Sequence, residues 1–249
     1  MEIIEESTAF VQKDDDFIFD HTKVIVRRKV DNQYFYGRIQ ERVPSSAIDI
    51  DKIKLVEIPT DDVWPVFDPK FTRAPQSPSS GVYVKRPSIL AYGDIPDSYK
   101  LSDQVLSEVE VCETLRKNPH PNIVQYLGCN VEDDRITGLC LAKYDITLSD
   151  KQKLGDPIDV NRCLQGIRRG VDHLHGLGLV HNDLNPNNIM MDGDDPVIID
   201  FDSCRQQGQE LGLKGGTFGW CIEGLSHADF ENDFDSISKI HDFLMRGHT

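Results

Sequence analysis

The residues best suited to chemistry lie in the run 181–188, which reads H-N-D-L-N-P-N-N, and in Asp200, twelve residues after Asn188. Transfer of a phosphoryl group needs a carboxylate that positions the attacking hydroxyl, and oxygen ligands that hold magnesium on the phosphates of a nucleotide. Asp183, Asn188 and Asp200 supply those groups within one short stretch. The sequence therefore predicts a site for phosphoryl transfer.

Helices and short strands must position these residues. Apolar side chains recur at helical spacing, which predicts one helix over 102–115 and another over 159–175, with Gly176 at the end of the second. Short apolar runs predict three strands, at 82–84, 123–127 and 139–142, with a polar turn at 131–135. A small β-rich region is thus expected to precede a mainly helical one.

The first eighty residues carry a different pattern. Residues 1–23 are acidic and predict no regular element, whereas 24–26 and 34–36 predict two strands that Asp31-Asn32 joins in a tight turn. Residues 59–81 contain several prolines. No helix or strand is therefore expected to cross that segment.

Composition limits the partners. The 249 residues are 39% hydrophobic and carry a formal net charge of -15, so the chain can bury a core but is repelled by nucleic acid and by anionic membranes. No stretch approaches the ~18 apolar residues of a membrane span, and the N-terminus lacks the pattern of a secretion signal. The six cysteines form no C-x-x-C pair, which favours buried free thiols in the cytoplasm or nucleus.

The order of these residues resembles the protein kinase-like superfamily, and the motifs are similar to those of its fungal-type members. The run at 181–188 matches the catalytic loop H-R-D-L-x-x-x-N, and Asp200-Phe201-Asp202 matches the metal motif D-F-G. The resemblance implies that Asp183 is the catalytic base, that Asn188 and Asp200 bind Mg²⁺, and that the nucleotide is ATP.

A second block would supply the ion pair that kinases place beside the nucleotide. Val82-Tyr83-Val84-Lys85 resembles the V-A-I-K strand, which implies that Lys85 contacts the phosphates of ATP. Its glutamate partner should come from the helix 102–115, where Glu108 and Glu110 compete. Glu108 is favoured because apolar residues follow it at one, three, four and seven positions, whereas polar residues follow Glu110 at three and four.

Further segments resemble the family in the required order. The resemblance implies that Ala142 lies behind the adenine pocket and that adenine pairs with the backbone from Lys143 to Asp145, which includes Tyr144. Gly216-Thr217 resembles the end of an activation segment. Glu231-Asn232-Asp233 resembles the start of the helix whose buried aspartate anchors the catalytic loop.

Departures from the family pattern bear on turnover. No G-x-G-x-x-G precedes Lys85, so the clamp on the phosphates is expected to be weak. Asn182 and Asn185 replace an arginine and a lysine, and Asp202 stands where the family has glycine. Loss of the lysine removes a positive charge aimed at the transferred group, so slow turnover is expected.

The sequence thus predicts an α+β, two-lobed protein kinase-like fold with a small β-rich N-lobe and a helical C-lobe that is shortened because few residues follow Asp200. The expected parts are an N-terminal extension with the hairpin (1–81), the N-lobe and hinge (82–145) and the C-lobe (146–249). The expected function is transfer of the γ-phosphate of Mg-ATP to a serine or threonine hydroxyl of a protein. Two alternatives stay open: a pseudokinase that binds a regulatory partner with little turnover, and a small-molecule kinase of the choline or aminoglycoside type.

Overall fold

A computed structural model describes residues 1–13, 16–75, 80–96, 100–212 and 216–246. Helices and strands are both present, so the class is α+β, as the sequence predicts. The chain divides into two compact units. The first contains Met1–Phe67, Arg86–Leu106 and Val131–Gly138. The second contains Asp68–Lys85, Ser107–Asn130 and Leu139–Thr249. The division into 1–81, 82–145 and 146–249 stays a prediction.

The strands and helices follow one another along the described residues. The strands are β1 (Glu2–Lys13), β2 (Asp16–Arg28), β3 (Gln33–Ile39), β4 (Val56–Ile58), β5 (Val82–Lys85), β6 (Tyr126–Glu132), β7 (Arg135–Ala142), β8 (Ile146–Thr147), β9 (Leu179–Val180), β10 (Ile189–Asp192), β11 (Asp195–Ile198) and β12 (Arg205–Gln206). The helices are α1 (Thr60–Val63), α2 (Leu101–Lys117), α3 (Leu148–Lys153), α4 (Val160–Gly176) and α5 (Phe230–Arg246).

The first unit contains an antiparallel sheet with the strand order β1-β2-β3-β4. The predicted hairpin at 24–36 is confirmed, because Ile25 pairs with Tyr36 and Val26 pairs with Phe35. Ile25 and Val26 are fully buried. Ile25 and Tyr34 belong to one buried cluster, and Val24, Val26 and Phe35 belong to another, so β2 and β3 contribute apolar side chains from both faces of the sheet.

The prediction that residues 1–23 are irregular is wrong. Strand β1 pairs with β2 along its whole length, from Glu2 opposite Arg27 to Lys13 opposite Asp16. Most residues of β1 are exposed, so the strand lacks the one-sided apolar alternation that would have predicted it. Backbone pairing with β2 forms this strand instead. The part of β2 that precedes Thr22 pairs with β1 but not with β3, and it carries exposed aromatic side chains such as Phe17.

Both predicted helices are present: α2 begins in the part of the chain assigned to the first unit, at Leu101, whereas α4 lies wholly in the second. The pattern at 102–115 forms α2 and the pattern at 159–175 forms α4, whose first turn is capped by the side chain of Asp159 accepting from the Arg162 N–H. Helix α4 ends at Gly176, as predicted, and the residue in the left-handed region after it is Gly178, with φ of 75°. Within the described residues, no helix combines the length and the apolar character that crossing a membrane requires.

Several predicted bounds differ from the structure. The strand expected at 139–142 begins earlier, at Arg135. The strand expected at 123–127 begins only at Tyr126, because the Val124 N–H donates to the carbonyl of Ile198 on another segment. The segment 59–81 is crossed by the short helix α1. Residues 76–79 of that segment lie outside the described residues.

Gly128 in β6 lies against the backbone of residues 72–74. The Ala74 N–H donates to the Cys129 carbonyl at 3.0 Å, and the Cys129 N–H donates to the Thr72 carbonyl at 2.7 Å. A Cβ at Gly128 would lie 2.6 Å from Ala74 N, and φ at Gly128 is 130°. Glycine is therefore required both by space and by backbone conformation.

We predict that Gly128→Ala lowers the free energy of unfolding by about 2–4 kcal/mol, since left-handed strain and overpacking add. Gly155→Ala is the matched control, because Gly155 also has positive φ, of 74°, but has open space around it. That control should lose only about 1 kcal/mol. Urea unfolding followed by circular dichroism measures both, and equal losses would show that the contact at Gly128 costs nothing.

Candidate active site

A β-hairpin brings Asn188 and Asp200 together. Ile189 pairs with Ile198 at the start of the β10–β11 hairpin. One step further, the Ile199 N–H donates to the carbonyl of Asn188 at 3.0 Å. Two residues that are twelve positions apart in sequence therefore meet at the open end of one hairpin.

Hydrogen bonds from several sides hold the carboxylate of Asp183. Asn188 Nδ2 donates to the Asp183 carbonyl at 2.9 Å and to Oδ2 at 3.1 Å. The Thr217 N–H and Oγ1 donate to Oδ1 at 2.7 and 2.6 Å. The amide nitrogen of Asn188 is thus committed to Asp183, and its carbonyl Oδ1 is the atom suited to bind a cation.

A buried aspartate on α5 fixes the backbone of the loop. Asp233 is fully buried. Its Oδ2 accepts from the His181 N–H and its Oδ1 from the Asn182 N–H, each at 2.9 Å. His175 Nε2 lies 2.9 Å from Oδ2. The helix that begins near Glu231-Asn232-Asp233 therefore holds the loop, as the sequence predicts.

His181 supports the loop from inside the core. Its Nδ1 lies 3.3 Å from the Asp183 N–H and can only accept there, so its Nε2 carries the proton and donates to the Ile199 carbonyl at 3.0 Å. The ring lies 5.4 Å from that of Phe201. This histidine therefore has a structural role and is not placed as a proton acceptor for a substrate.

Lys85 joins two carboxylates in an ion-pair cluster. Its Nζ lies 2.6 Å from Glu108 Oε1 and 2.7 Å from Asp200 Oδ1. Glu108 is 3% exposed, whereas Glu110 lies on the exposed face of α2. Of the two glutamates that compete in the sequence, the structure places Glu108 against Lys85.

The cluster keeps Lys85 charged. Burial would lower the pKa of Lys85, but the carboxylates of Glu108, Asp200 and Asp202 outweigh this effect and raise that pKa above its ordinary value. Burial raises the pKa of the Glu108 carboxyl, and Lys85 opposes the rise. The charge on Glu108 therefore depends on Lys85.

A cavity of about 310 Å³ opens beside this cluster. Lys85 and Asp200 line it, and so do Ala142 and Tyr144 from the predicted hinge. Most of the remaining lining is apolar, as at Leu141. The volume lies at the lower end of the range for small-molecule sites. An apolar slot beside a lysine and a carboxylate fits a flat base attached to phosphates and a divalent cation.

The structure places Lys143 differently from its neighbours in the predicted hinge. Its side chain is exposed, and its N–H donates to the Gly81 carbonyl at 2.9 Å. This bond extends the pairing of β5 with β7, which begins at Val82 opposite Ala142. The Lys143 N–H is therefore engaged, whereas Ala142 and Tyr144 reach the cavity.

Uncharged amides occupy the positions where the family has basic residues. Asn182 is buried at 2% exposure, with φ of 65°, and its Nδ2 donates to the carbonyls of Val180 and Ser203 at 3.1 Å. Asn185 caps the short 3₁₀ helix that follows it and donates to Asp183 Oδ1 at 3.2 Å. Both amides therefore stabilise the loop and carry no charge toward a phosphate.

The left-handed residue of the metal motif is its first aspartate. Asp200 has φ of 65°, and Asp202 is not among the described residues with positive φ. Asp202 therefore carries no left-handed strain, because the backbone at this position does not need the freedom of glycine.

The sequence analysis does not assign several residues of the site, among them Thr217 and Tyr83. Thr217 was placed in the activation segment, but its contact with Asp183 depends on a fold that brings residues 34 positions apart together. Tyr83 lines the cavity, and the signal for it was its position two residues before Lys85 on the same strand.

Comparisons with known proteins agree with these features. The family model described as protein kinase domain matches residues 90–221, which is more than half of the chain. Serine/threonine-protein kinase D1044.8 of Caenorhabditis elegans is 32% identical over 123 residues, or 46% of this chain and 12% of that protein. Serine/threonine-protein kinase SSK22 of Saccharomyces cerevisiae is 30% identical over 110 residues, or 43% and 8%.

A human protein kinase is also similar to part of this chain. Receptor-interacting serine/threonine-protein kinase 1 of Homo sapiens is 28% identical over 107 residues, or 42% of this chain and 16% of that protein. The chain thus spans less than a fifth of the length of each of these three relatives. The interval 90–221 contains Glu108 and the loop but begins after Lys85.

We predict that Asp233→Ala lowers the free energy of unfolding by about 3 kcal/mol or more, because two buried N–H groups lose their acceptor at ~1–3 kcal/mol each. Asp242→Ala on the same helix is the control, since the Asp242 side chain is 65% exposed. Urea unfolding should show no more than about 0.5 kcal/mol for the control. A small loss for Asp233→Ala would mean that the loop does not depend on this carboxylate.

We predict that Lys85→Met destabilises the protein by about 3–5 kcal/mol near neutral pH, since Glu108 loses its partner. Without Lys85, the pKa of Glu108 in the folded state rises further above its value in the unfolded state. The loss of unfolding free energy therefore grows as pH rises toward the folded-state pKa of Glu108, and it shrinks as pH falls toward the unfolded-state pKa. The difference in unfolding free energy from wild type should therefore be smaller at about pH 5 than at about pH 8.

Lys117→Met is the control for this pH series, because Lys117 lies in α2 and is exposed. It should follow the wild-type profile at both pH values. A destabilisation by Lys85→Met that is equal at both values would contradict the dependence of Glu108 on Lys85.

Proposed function

The chain belongs to the protein kinase domain family, and on this premise we propose that it transfers the γ-phosphate of ATP, with Mg²⁺, to a serine or threonine hydroxyl of a protein. One observation carries the proposal: Lys85 binds both Glu108 and Asp200, while Asn188 holds Asp183 at the end of the hairpin that leads to Asp200. The names of the relatives support a protein as the acceptor.

The residues of the chain would divide the work as follows. Bound Mg²⁺ supplies charge neutralisation on the phosphates and favours departure of ADP. Asn188 Oδ1 and the carboxylate of Asp200 would hold that ion. Lys85 would bind phosphate oxygens, and Glu108 keeps Lys85 charged and in place. The apolar cavity would exclude water from the base.

Asp183 would position the acceptor hydroxyl and take its proton. Its Oδ1 already accepts from the hydroxyl of Thr217 at 2.6 Å, so the carboxylate is oriented to accept from an alcohol. Its Oδ2 is held by Asn188. A fixed carboxylate of this kind contributes through placement of the nucleophile, which is the main requirement of phosphoryl transfer.

A pseudokinase with little turnover is the second candidate. The observation that favours it is Asn185, a buried neutral amide at the position of a lysine that would face the transferred group. Loss of such a charge reduces stabilisation of the transition state without reducing affinity to the same extent. Binding of Mg-ATP without transfer would support this candidate, and transfer to a small alcohol would support a small-molecule kinase.

We predict that Mg-ATP at one hundred times its Kd raises the unfolding free energy by ~2.7 kcal/mol, which corresponds to about 5 to 10 °C in Tm for a chain of this size. Asp200→Asn should lose this shift, because it removes the charged metal ligand, and asparagine tolerates the left-handed backbone. Asp183→Asn should keep the shift but reduce transfer of labelled phosphate by roughly 10²- to 10⁴-fold.

Asp192→Asn is the matched control, because Asp192 lies on the same hairpin and is exposed. It should bind and transfer as the wild type does. A wild-type protein that shows no shift would exclude ATP binding. Equal transfer by Asp183→Asn and wild type would exclude Asp183 as the base.

A further inference from the structure

Tyr83 shares the cavity with Lys85. Side chains two positions apart on a strand point to the same face, and both of these line the cavity. Tyr83 is 54% exposed. Its ring therefore has one part against the cavity and one part against solvent, as a cover at the rim would have.

The cavity offers little surplus positive charge. Among its described lining residues Lys85 is the single cation, and it is already paired with Glu108 and Asp200. No G-x-G-x-x-G precedes β5 in the sequence, so the sequence does not predict a cradle of backbone N–H groups of that type. Contacts to the phosphates alone would therefore contribute little binding free energy, and the affinity for a nucleotide needs another source.

The lining offers that source in its flat apolar surfaces. Tyr83 stands opposite Leu141 in the register of β5 and β7, and Val124, Met190 and Ile199 contribute further apolar surface. An aromatic ring beside an apolar slot binds a planar base by stacking, whichever base it is. The Cα atoms of Tyr83 and Lys85 are about 6.6 Å apart, the rise of two residues of extended strand.

We propose that Tyr83 stacks on the nucleobase and supplies a main part of the nucleotide affinity, in place of a clamp on the phosphates. The inference rests on the proposed function, since it concerns the same nucleotide site. Two consequences follow. Affinity depends on the ring of Tyr83 and not on its hydroxyl, and it depends only weakly on the number of phosphates, so ADP and ATP bind with similar Kd.

The test measures the Kd of Mg-ATP, Mg-ADP and Mg-tripolyphosphate by calorimetry for the full chain and for two variants. Tyr83→Ala should weaken ATP and ADP by about 5- to 150-fold, the range that loss of one stacked base gives. Tyr83→Phe should stay within about twofold of wild type, because the ring is kept. Tripolyphosphate has no base, so its weak binding should not differ among the three proteins.

Each other outcome is decisive. Tyr83→Ala that binds ATP as well as or better than wild type overturns the inference, because the ring is then no contact or an obstruction. An equal loss for tripolyphosphate, or a loss in Tyr83→Phe, also overturns it. If wild type binds ATP and Tyr83→Ala binds it equally well, the stacking inference fails but the proposed function stands. If wild type binds no nucleotide, both the inference and the proposed function fail. The Tm of the unliganded variants serves as the check on folding.

Discussion

The buried carboxylate of Asp233 is the constraint on which the rest of the site depends. It accepts the backbone N–H groups of His181 and Asn182, and Asn182 has the left-handed φ of 65° that costs a non-glycine residue free energy. An unpaired charge in the interior would cost several kcal/mol, of order 3–5. The loop and α5 therefore stabilise each other: the carboxylate needs the loop N–H groups, and the loop needs the carboxylate to keep its strained turn.

The anchored loop in turn determines where Asn188 and Asp200, the proposed metal ligands, meet. It leads into β10, whose pairing with β11 returns the chain so that Asp200 follows directly after the partner of Asn188. Asp200 then lies against Lys85, whose charge is also needed by the buried Glu108. Removal of any member would leave the others without a partner and would cost stability. Under the proposed function, the same carboxylates and lysine would hold the metal nucleotide.

The sequence predicts those features that are local or that repeat with a clear period. The loop at 181–188, α2 and α4 follow from spacing and capping, and Glu108 follows from the apolar stripe around it. Strand β1 could not be predicted, because both of its faces are largely exposed and its partner supplies the hydrogen bonds. The contact of Thr217 with Asp183 needs long-range folding. The engagement of Lys143 with Gly81 is a backbone pairing that no side-chain pattern encodes.

Asn185, at the position where the family has lysine, keeps the loop rigid but does not supply the positive charge of a lysine. Asn185 donates to Asp183 as a lysine at that position could, so the carboxylate stays in place. It adds no positive charge, however, and transition-state stabilisation in phosphoryl transfer is largely electrostatic. The missing glycine-rich segment acts in the same direction, since it removes donors from the phosphates. A ring such as Tyr83 can restore affinity but not that charge, because stacking acts equally on the ground state and the transition state. Under the proposed function, nucleotide affinity and turnover would therefore depend on different residues.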